Sequence, residues 1–337
     1  MPGATPRFWQ RRGLVAAVLL PLAGLFGSVA ALRRALYRRG WMRSERLPVP
    51  VVVVGNIAVG GSGKTPVVLW LVDCLRAAGF TPAILSRGYG GRVAGPALVP
   101  AAANPEEFGD EPVLLAQSTA CPVVIGADRP AAGRFLLERH PECNVLVSDD
   151  GLQHYALARD VEIVVVDEAV LGNRWMLPAG PLREGLGRLA QADLLVAHGT
   201  VGATVRAAAG RVPWVGMNLE GSEFVGLADS ARRARVGDFG DRPVHAVAGI
   251  GRPERFFAQL ESMGLNVVRH PFPDHHAFTA ADLAFAPGEP KILTAKDGVK
   301  CVSFATPDLW IFPVRARIGG NAESIIVEKL RRGSPTP

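Results

Sequence analysis

Lysine is scarce in this chain of 337 residues. Lys64, Lys291, Lys296, Lys300 and Lys329 are the whole complement, so 32 of the 37 basic side chains are arginine. Arginine grips phosphate in a bidentate fork, which suits an anionic partner such as a membrane face or a phospholipid-like substrate. An Ala/Arg/Gly-rich composition alone produces the same bias. Cysteine is also rare. Cys74, Cys121, Cys143 and Cys301 stand singly without CxxC spacing, which excludes a zinc ribbon or disulfide framework and leaves reduced, mostly buried thiols. No basic stretch is interleaved with aromatics, so a nucleic-acid platform is set aside. No internal repeat is present. The hydrophobic fraction of 48% and charged fraction of 20% are those of a core-forming chain, and a length of roughly 150 residues per domain predicts two lobes.

One long apolar run is present. Gly13 to Leu32, "GLVAAVLLPLAGLFGSVAAL", is 20 residues without a charge. As one helix it would reach about 30 Å, enough for a bilayer. A cleaved signal peptide has Arg11-Arg12 and Ser28-Val29-Ala30 in its favour, but Arg33, Arg34, Arg38 and Arg39 follow at once. A single span is flanked by arginine at both ends, which gives it no orientation. Pro21, Gly24 and Gly27 would break or bend a spanning helix. They favour a helix or helical hairpin lying in the cytoplasmic leaflet with its arginines at anionic headgroups.

Beyond Trp41, apolar runs alternate with helical stretches, the pattern of a mainly parallel α/β fold. Strands are expected at 49–54, 83–86, 122–125, 144–148, 161–166 and 194–197, with helices at 65–78 and from Pro112. A second series begins near Trp214, with strands at 244–248, 265–269, 292–294 and 310–314 and a helix at 253–263. The boundary falls within 205–220. Segments of 1–40 (membrane-associated), 41–210, 211–330 and a frayed tail of 331–337 are expected.

"VVVVGNIAVGGSGKTPVVLW" places a glycine-rich loop between a β-branched strand and a helix. The pattern GxxxxGK[ST] lacks its first glycine, since Ala58 stands there. Ala58, Val59, Gly60, Gly61, Ser62, Gly63, Lys64 and Thr65 still form a strong phosphate cradle. Glycines let backbone N–H groups turn inward, Lys64 reaches the β/γ-phosphates, and the Thr65 hydroxyl holds Mg²⁺. The helix N-terminus points at the anion, and Pro66 in its first turn gives up no needed donor. A GTPase usually carries [NT]KxD. Here "TAKD", Thr294 to Asp297, sets Ala295 between threonine and lysine, so ATP is preferred to GTP.

Three acidic clusters complete the set. "SDDGLQH" puts Asp149 and Asp150 at a strand end, where adjacent side chains point opposite ways: one toward Mg²⁺, the other toward substrate. In "GDEP", Asp110 suits a helix N-cap on residue type alone. "PFPDHHAFT" brings Asp274, His275 and His276 onto a proline-bracketed loop, which suggests either a metal site or a base; without further spaced Cys/His ligands, acid–base work is favoured over surface decoration.

Taken together, "GNIAVGGSGKTP", "SRGYGG", "GDEP", "DDGLQH", "PAGPLRE", "AVAGIGRPERFF", "PDHH" and "TAKDGVK" closely resemble the lipid A 4′-kinase (tetraacyldisaccharide 4′-kinase) family, from about Arg33 to Ile318. The resemblance implies a P-loop NTPase-like α/β/α core, a second, smaller α/β lobe, and an active site between them. It implies transfer of the ATP γ-phosphate to the 4′-hydroxyl of a tetraacylated glucosamine disaccharide 1-phosphate at the cytoplasmic face of the inner membrane. By motif match it makes Asp110 the base and His275 its partner, which overrides the N-cap reading. Asp149, Asp150, Arg183 and Glu184 fall near the reacting centre, with Thr65, Asp149 and Glu111 toward Mg²⁺. Arg87 is a weaker candidate for phosphate contact. "AHGT", Ala197 to Thr200, departs from an asparagine-glycine pair and leaves His198 without a role. A P-loop ATPase or GTPase serving membrane-associated assembly is the alternative, and it explains neither "PDHH" nor the apolar run.

Overall fold

A computed structural model of the chain describes residues 6–333. In chain order, β1 (Val51–Gly55), β2 (Pro82–Ser86), β3 (Ala97–Leu98), β4 (Val123–Ile125), β5 (Val145–Asp149), β6 (Val161–Val166), β7 (Leu194–His198) and β8 (Trp214–Glu220) build one sheet. β9 (Phe224–Gly226), β10 (Arg233–Ala234), β11 (Pro243–Ala248), β12 (Asn266–Pro271), β13 (Lys291–Thr294) and β14 (Leu309–Phe312) build another, and β15 (Arg315–Ile318) returns to the first. The spatial orders are β15-β8-β7-β6-β1-β5-β2-β4-β3 and β10-β9-β14-β13-β11-β12.

The valines of β1 are buried on both faces, because this strand lies between β5 and β6 in parallel register. Val54 pairs with Asp149, so the carboxyl ends of β1 and β5 emerge side by side. Ligands of open α/β sheets bind outside such carboxyl ends. The helix Lys64–Ala77 then lays Val67, Val68, Leu71, Val72 and Leu75 onto the sheet. Each contributes about 1.5–3 kcal/mol of apolar burial. In the second lobe β12, β11 and β13 are adjacent and parallel. Their carboxyl ends therefore release "GIGRP", "FPDHH" and "AKDGVK" next to one another.

A division at residue 210 does not describe this topology. β8 joins the first sheet beside β7, with Leu195 opposite Trp214, and β15 pairs antiparallel with β8. The helix Ala322–Gly333 buries Ala322, Ile326 and Leu330 in the first lobe's core. The first lobe is thus discontinuous, and the second is an insertion between β8 and β15. Arg331 and Arg332, expected to fray, lie in that last helix, while 334–337 fall outside the described residues.

The apolar run forms Leu14–Val18, a break at Leu19, and a continuous helix Leu20–Arg38 with Pro21 in its first turn. Gly24 and Gly27 are inside that helix and do not bend it into a hairpin. No helix among the described residues is long and apolar enough to cross a membrane. One side is fastened to the first lobe: Arg34 pairs with Glu184 at 3.2 Å and Arg33 donates to the Gln153 carbonyl at 3.2 Å. The other side is bare, with Leu14 87%, Val18 77% and Leu25 63% exposed.

The return of the last helix to the first lobe is testable. Ile326→Ala should cost about 2–5 kcal/mol in urea unfolding, the range for truncating a fully packed aliphatic side chain. A loss below about 0.5 kcal/mol would place that helix outside the core.

Candidate active site

The cradle is shaped by backbone. Gly60 and Gly63 have φ of 122° and 91°, which side chains rarely adopt, and a Cβ on Gly63 would lie 2.9 Å from His198 Nδ1. Asn56 Nδ2 donates to Ser62 Oγ at 3.1 Å and fixes the loop from below. The segment "PAGPLRE" runs alongside: Val59 N–H donates to the Pro181 carbonyl at 2.9 Å, Ala58 bridges Leu182, and Arg183 N–H donates to the Ile57 carbonyl at 2.8 Å. Ala58 is buried and contributes backbone only, so the missing first glycine leaves the cradle intact. Lys64 and Thr65 open the helix whose N-terminus faces the loop. A cavity of ≈ 680 Å³, lined in part by Gly199, Trp214, Met217, Asn218 and Asn321, adjoins the cradle at Met217.

The two aspartates after β5 do point apart. Asp149 is buried, receives the Ser86 hydroxyl at 3.5 Å, and leaves Oδ1 without a hydrogen-bond partner. Burial, together with the charges of Glu111 and Asp150, pushes its carboxyl up to about 7. Asp150, at φ 48°, turns outward to Lys64 Nζ at 3.4 Å and Arg183 Nη1 at 3.0 Å. Burial alone would raise its carboxyl, but Lys64 and Arg183 outweigh it and hold it well below the ordinary range.

Arg183 and Glu184 take different partners. Arg183 faces Asp150. Glu184 is buried, accepting from Tyr155 Oη at 2.6 Å, Gln153 Nε2 at 2.9 Å and Arg34 at 3.2 Å. Its partners tie the N-terminal helix to the segment flanking the cradle; Asp110, Asp149 and Lys64 are not among them. Arg87 is exposed.

Across the cleft the structure joins Asp110 of the first lobe to His275 of the second, Oδ2 to Nδ1 at 3.0 Å. The N-cap of the helix Asp110–Thr119 is Gly109, at φ 91°, whose added Cβ would meet the Tyr89 carbonyl oxygen at 2.6 Å. Asp110 is therefore the first helical residue. Its Oδ1 accepts from Glu111 N–H at 2.9 Å and its Oδ2 turns to the imidazole. Burial opposes its charge, yet the His275 hydrogen bond and Lys296 keep the carboxyl below its ordinary value. The same bond from Asp110 raises His275, against burial and Lys296. His275 sits at φ 59°, an uncommon backbone for a non-glycine residue, and Tyr89 of "SRGYGG" meets its ring edge-on at 5.4 Å. His276 turns away to Asp282.

Further residues meet here that the sequence alone did not single out. Lys296 Nζ lies 3.0 Å from Glu111 and 3.8 Å from both Asp110 and Asp274. "TAKD", weighed only as a base reader, turns out to be a cap: Thr294 Oγ1 accepts from Asp297 N–H at 3.1 Å, and Asp297 accepts from Gly249 N–H at 2.9 Å. Arg252 and Arg255 of "GIGRPER" both bind Asp167, which is buried at the end of β6, at 3.1 and 2.7 Å. Arg255 also donates to His198 Nδ1 at 2.9 Å, which places His198 3.2 Å from the Ser62 carbonyl oxygen of the loop. A charge pattern without periodicity gave no sign that these side chains would cross between lobes.

A strand–loop–helix phosphate cradle, a buried carboxylate at the neighbouring strand end and a carboxylate–imidazole pair beside it define a P-loop phosphotransferase. The model of the tetraacyldisaccharide-1-P 4′-kinase family matches residues 15–331, and the chain belongs to that family. The tetraacyldisaccharide 4′-kinase of Aromatoleum aromaticum is 64% identical, covering 98% of each chain. That of Azoarcus sp. is 60% identical, covering 99% of this chain and 97% of the other. The crystal structure of LpxK from Aquifex aeolicus in complex with ATP superposes with a TM-score of 0.79 at 29% identity, covering 94% of this chain and all of that one.

Gly63→Ala should raise the ATP dissociation constant at least about tenfold in titration calorimetry, because the strained φ and the clash with His198 both distort the loop. Unchanged binding in a folded variant would show that the loop does not form the cradle.

Proposed function

We propose that this chain transfers the γ-phosphoryl group of ATP to the 4′-hydroxyl of a tetraacylated glucosamine disaccharide 1-phosphate at the cytoplasmic face of the inner membrane. Family membership supports the reaction. The observation that carries the mechanism is the contact between Asp110 and His275, made from opposite lobes, with Glu111, next to Asp110 in the chain, close enough to Asp149 to raise its carboxyl.

The backbone of Gly60 to Lys64 receives the phosphate chain, and Lys64 exchanges Asp150 for phosphate oxygens when nucleotide enters. The nucleoside end is assigned to the cavity at Met217 and Asn218. Asp110 accepts the proton of the 4′-hydroxyl as that oxygen forms its bond to the γ-phosphorus and the bond to the β-bridging oxygen breaks. His275 aims the carboxylate and stabilises its charge before transfer. Arg183, held by Asp150, lies within the same cleft and is suited to phosphate oxygens. The donor set also fits Mg²⁺. Asp149 leaves a buried carboxylate oxygen unpartnered, with Glu111 near enough to shift its ionisation and Thr65 in the loop. Mg²⁺ takes one or two carboxylates along with substrate phosphates, and when bound it neutralises phosphate charge.

The acceptor explains the N-terminal helix. Each buried acyl CH₂ is worth about 0.8 kcal/mol, so a tetraacylated substrate stays in its bilayer and the enzyme comes to it. Leu14, Val18, Leu22, Leu25 and Leu32 are exposed on that segment, with Arg11, Arg12, Arg38 and Arg39 exposed for anionic headgroups.

Incubation with ATP and the disaccharide 1-phosphate lipid, followed by mass spectrometry, should show one added phosphate; nucleotide hydrolysis with unmodified lipid would sink the proposal. Asp110→Asn should lower kcat by about 10²–10⁴-fold with little change in ATP binding. Near-normal turnover would remove Asp110 from the base role. Leu14→Glu/Val18→Glu/Leu25→Glu should reduce vesicle binding and turnover on vesicle-borne lipid while leaving ATP affinity unchanged. Full vesicle binding by that variant would reject the docking face.

A further inference from the structure

Lys296 is the one lysine placed where the lobes meet the Asp110–His275 pair. Its helix, Ala295–Cys301, follows β13 directly and is locked by its own motif. Thr294 caps it, Asp297 ties it to Gly249 at 2.9 Å, and Lys300 pairs with Asp297 at 2.7 Å. From this fixed base the side chain crosses to the first lobe, to Glu111 Oε1 at 3.0 Å and Asp110 Oδ2 at 3.8 Å. On its own lobe it stands 3.4 Å from His275 Nε2 and 3.8 Å from Asp274 Oδ1. Among the described residues it is the only side chain in polar contact with Asp110, Glu111, Asp274 and His275 together.

Charge makes the placement consequential. Closing the lobes brings buried Asp110 and half-buried Glu111 against half-buried Asp274, and like charges there oppose approach. Among the described residues, Lys296 is the permanently cationic partner of all three. An ammonium is also donor-only. Where it faces Nε2, it favours an imidazole whose proton is on Nδ1, the atom that meets Asp110.

Resting on the kinase reading above, we propose that Lys296 is a positioning residue: an inter-lobe strut that closes the cleft and aims His275 at Asp110, without itself touching the phosphate chain. Loss of the strut leaves the cradle intact but lets the pair drift. A misplacement of about 1 Å in a reacting group is enough to cost about 10²-fold in rate.

The test compares Lys296→Met and Lys296→Arg with wild type by kcat and KM for each substrate, with small-angle X-ray scattering of the nucleotide-free proteins. Lys296→Met should lose about a hundredfold in kcat, keep its KM for ATP within threefold, and show a larger radius of gyration. Lys296→Arg, which keeps the charge, should recover at least tenfold of the lost kcat. A merely structural lysine would change melting temperature without this split. The proposal is overturned if folded Lys296→Met turns over within threefold of wild type, or if its scattering is unchanged. It is equally overturned if Lys296→Arg is as impaired as Lys296→Met. Should the methionine variant not fold, Lys296→Gln takes its place with the same readings. Wild type that adds no phosphate to the lipid sinks the kinase reading instead, and the scattering comparison still decides for or against the strut.

Discussion

A carboxylate and an imidazole facing each other across the gap between two lobes are the contact on which this structure depends. Asp110 is mostly withdrawn from water, and a buried charge without a partner is strongly unfavourable. Its partners are supplied by another sheet about 165 residues later in the chain. The second lobe therefore completes the first electrostatically. Asp167 repeats the arrangement on the other side of the cradle, buried in the first lobe and satisfied by Arg252 and Arg255 of the second. Each lobe taken alone leaves its charges unmatched. Together they form a cleft in which acidic groups are already neutralised before a polyanionic nucleotide enters.

The parallel sheets make this possible with little irregular structure. Much of the polar centre comes from a carboxyl strand end or the segment that follows it: Lys64 after β1, Tyr89 after β2, Asp149 and Asp150 at β5, Arg252 after β11, His275 after β12 and Lys296 after β13, whereas Asp110 and Glu111 open a helix. Register does the positioning. Because Val54 is opposite Asp149, the phosphate loop and its acidic neighbour are placed by backbone hydrogen bonds, not by side-chain packing. The backbone departures sit at the same points. Gly63, Gly109, Asp150 and His275 all have positive φ where a chain leaves a strand or enters a helix beside the cleft.

What could be read from sequence follows from this construction. β-branched runs, a glycine loop and paired aspartates are local signals, and the strands they announce lie close to where the alternation put them. The pleat predicts that Asp149 and Asp150 diverge, but Asp150 lies past the strand end at φ 48°, so the turn sets its direction. Three things were out of reach. The return of β15 and the last helix to the first lobe depends on pairing between residues nearly a hundred positions apart, and Trp214 looks locally like the start of a new series. Glu184 beside Arg183 looks like one site, yet the chain bends there, and Arg183 reaches Asp150 while Glu184 takes Tyr155 and Arg34. Lys296 was hidden within a motif weighed for a different purpose. A lysine four carbons long can reach across an interface that no sequence period records.

If the acceptor is held in a bilayer, as the proposed function has it, the position of Glu184 bears on how that acceptor meets the cradle. Arg183 holds Asp150 and through it Lys64, while the next residue holds Arg34 of the N-terminal helix and Tyr155 beside it. Arg33 lies over the Tyr37 and Tyr155 rings, and Trp9 donates to the Pro178 carbonyl at 2.9 Å, so the segment is pinned at several points. A helix attached by one flexible linker would let the catalytic lobe sample many heights above a bilayer. One pinned beside the cradle fixes that height. For an acceptor whose sugar hydroxyl lies at a set distance above its acyl chains, this rigidity has the same effect as a shaped pocket has for a soluble substrate: it restricts the reacting groups before the lobes close. It also accounts for a buried glutamate whose hydrogen-bond partners, Tyr155, Gln153 and Arg34, do not include the proton-transfer pair. On the proposed function, its place is in the frame that sets where the phosphate stands relative to the lipid.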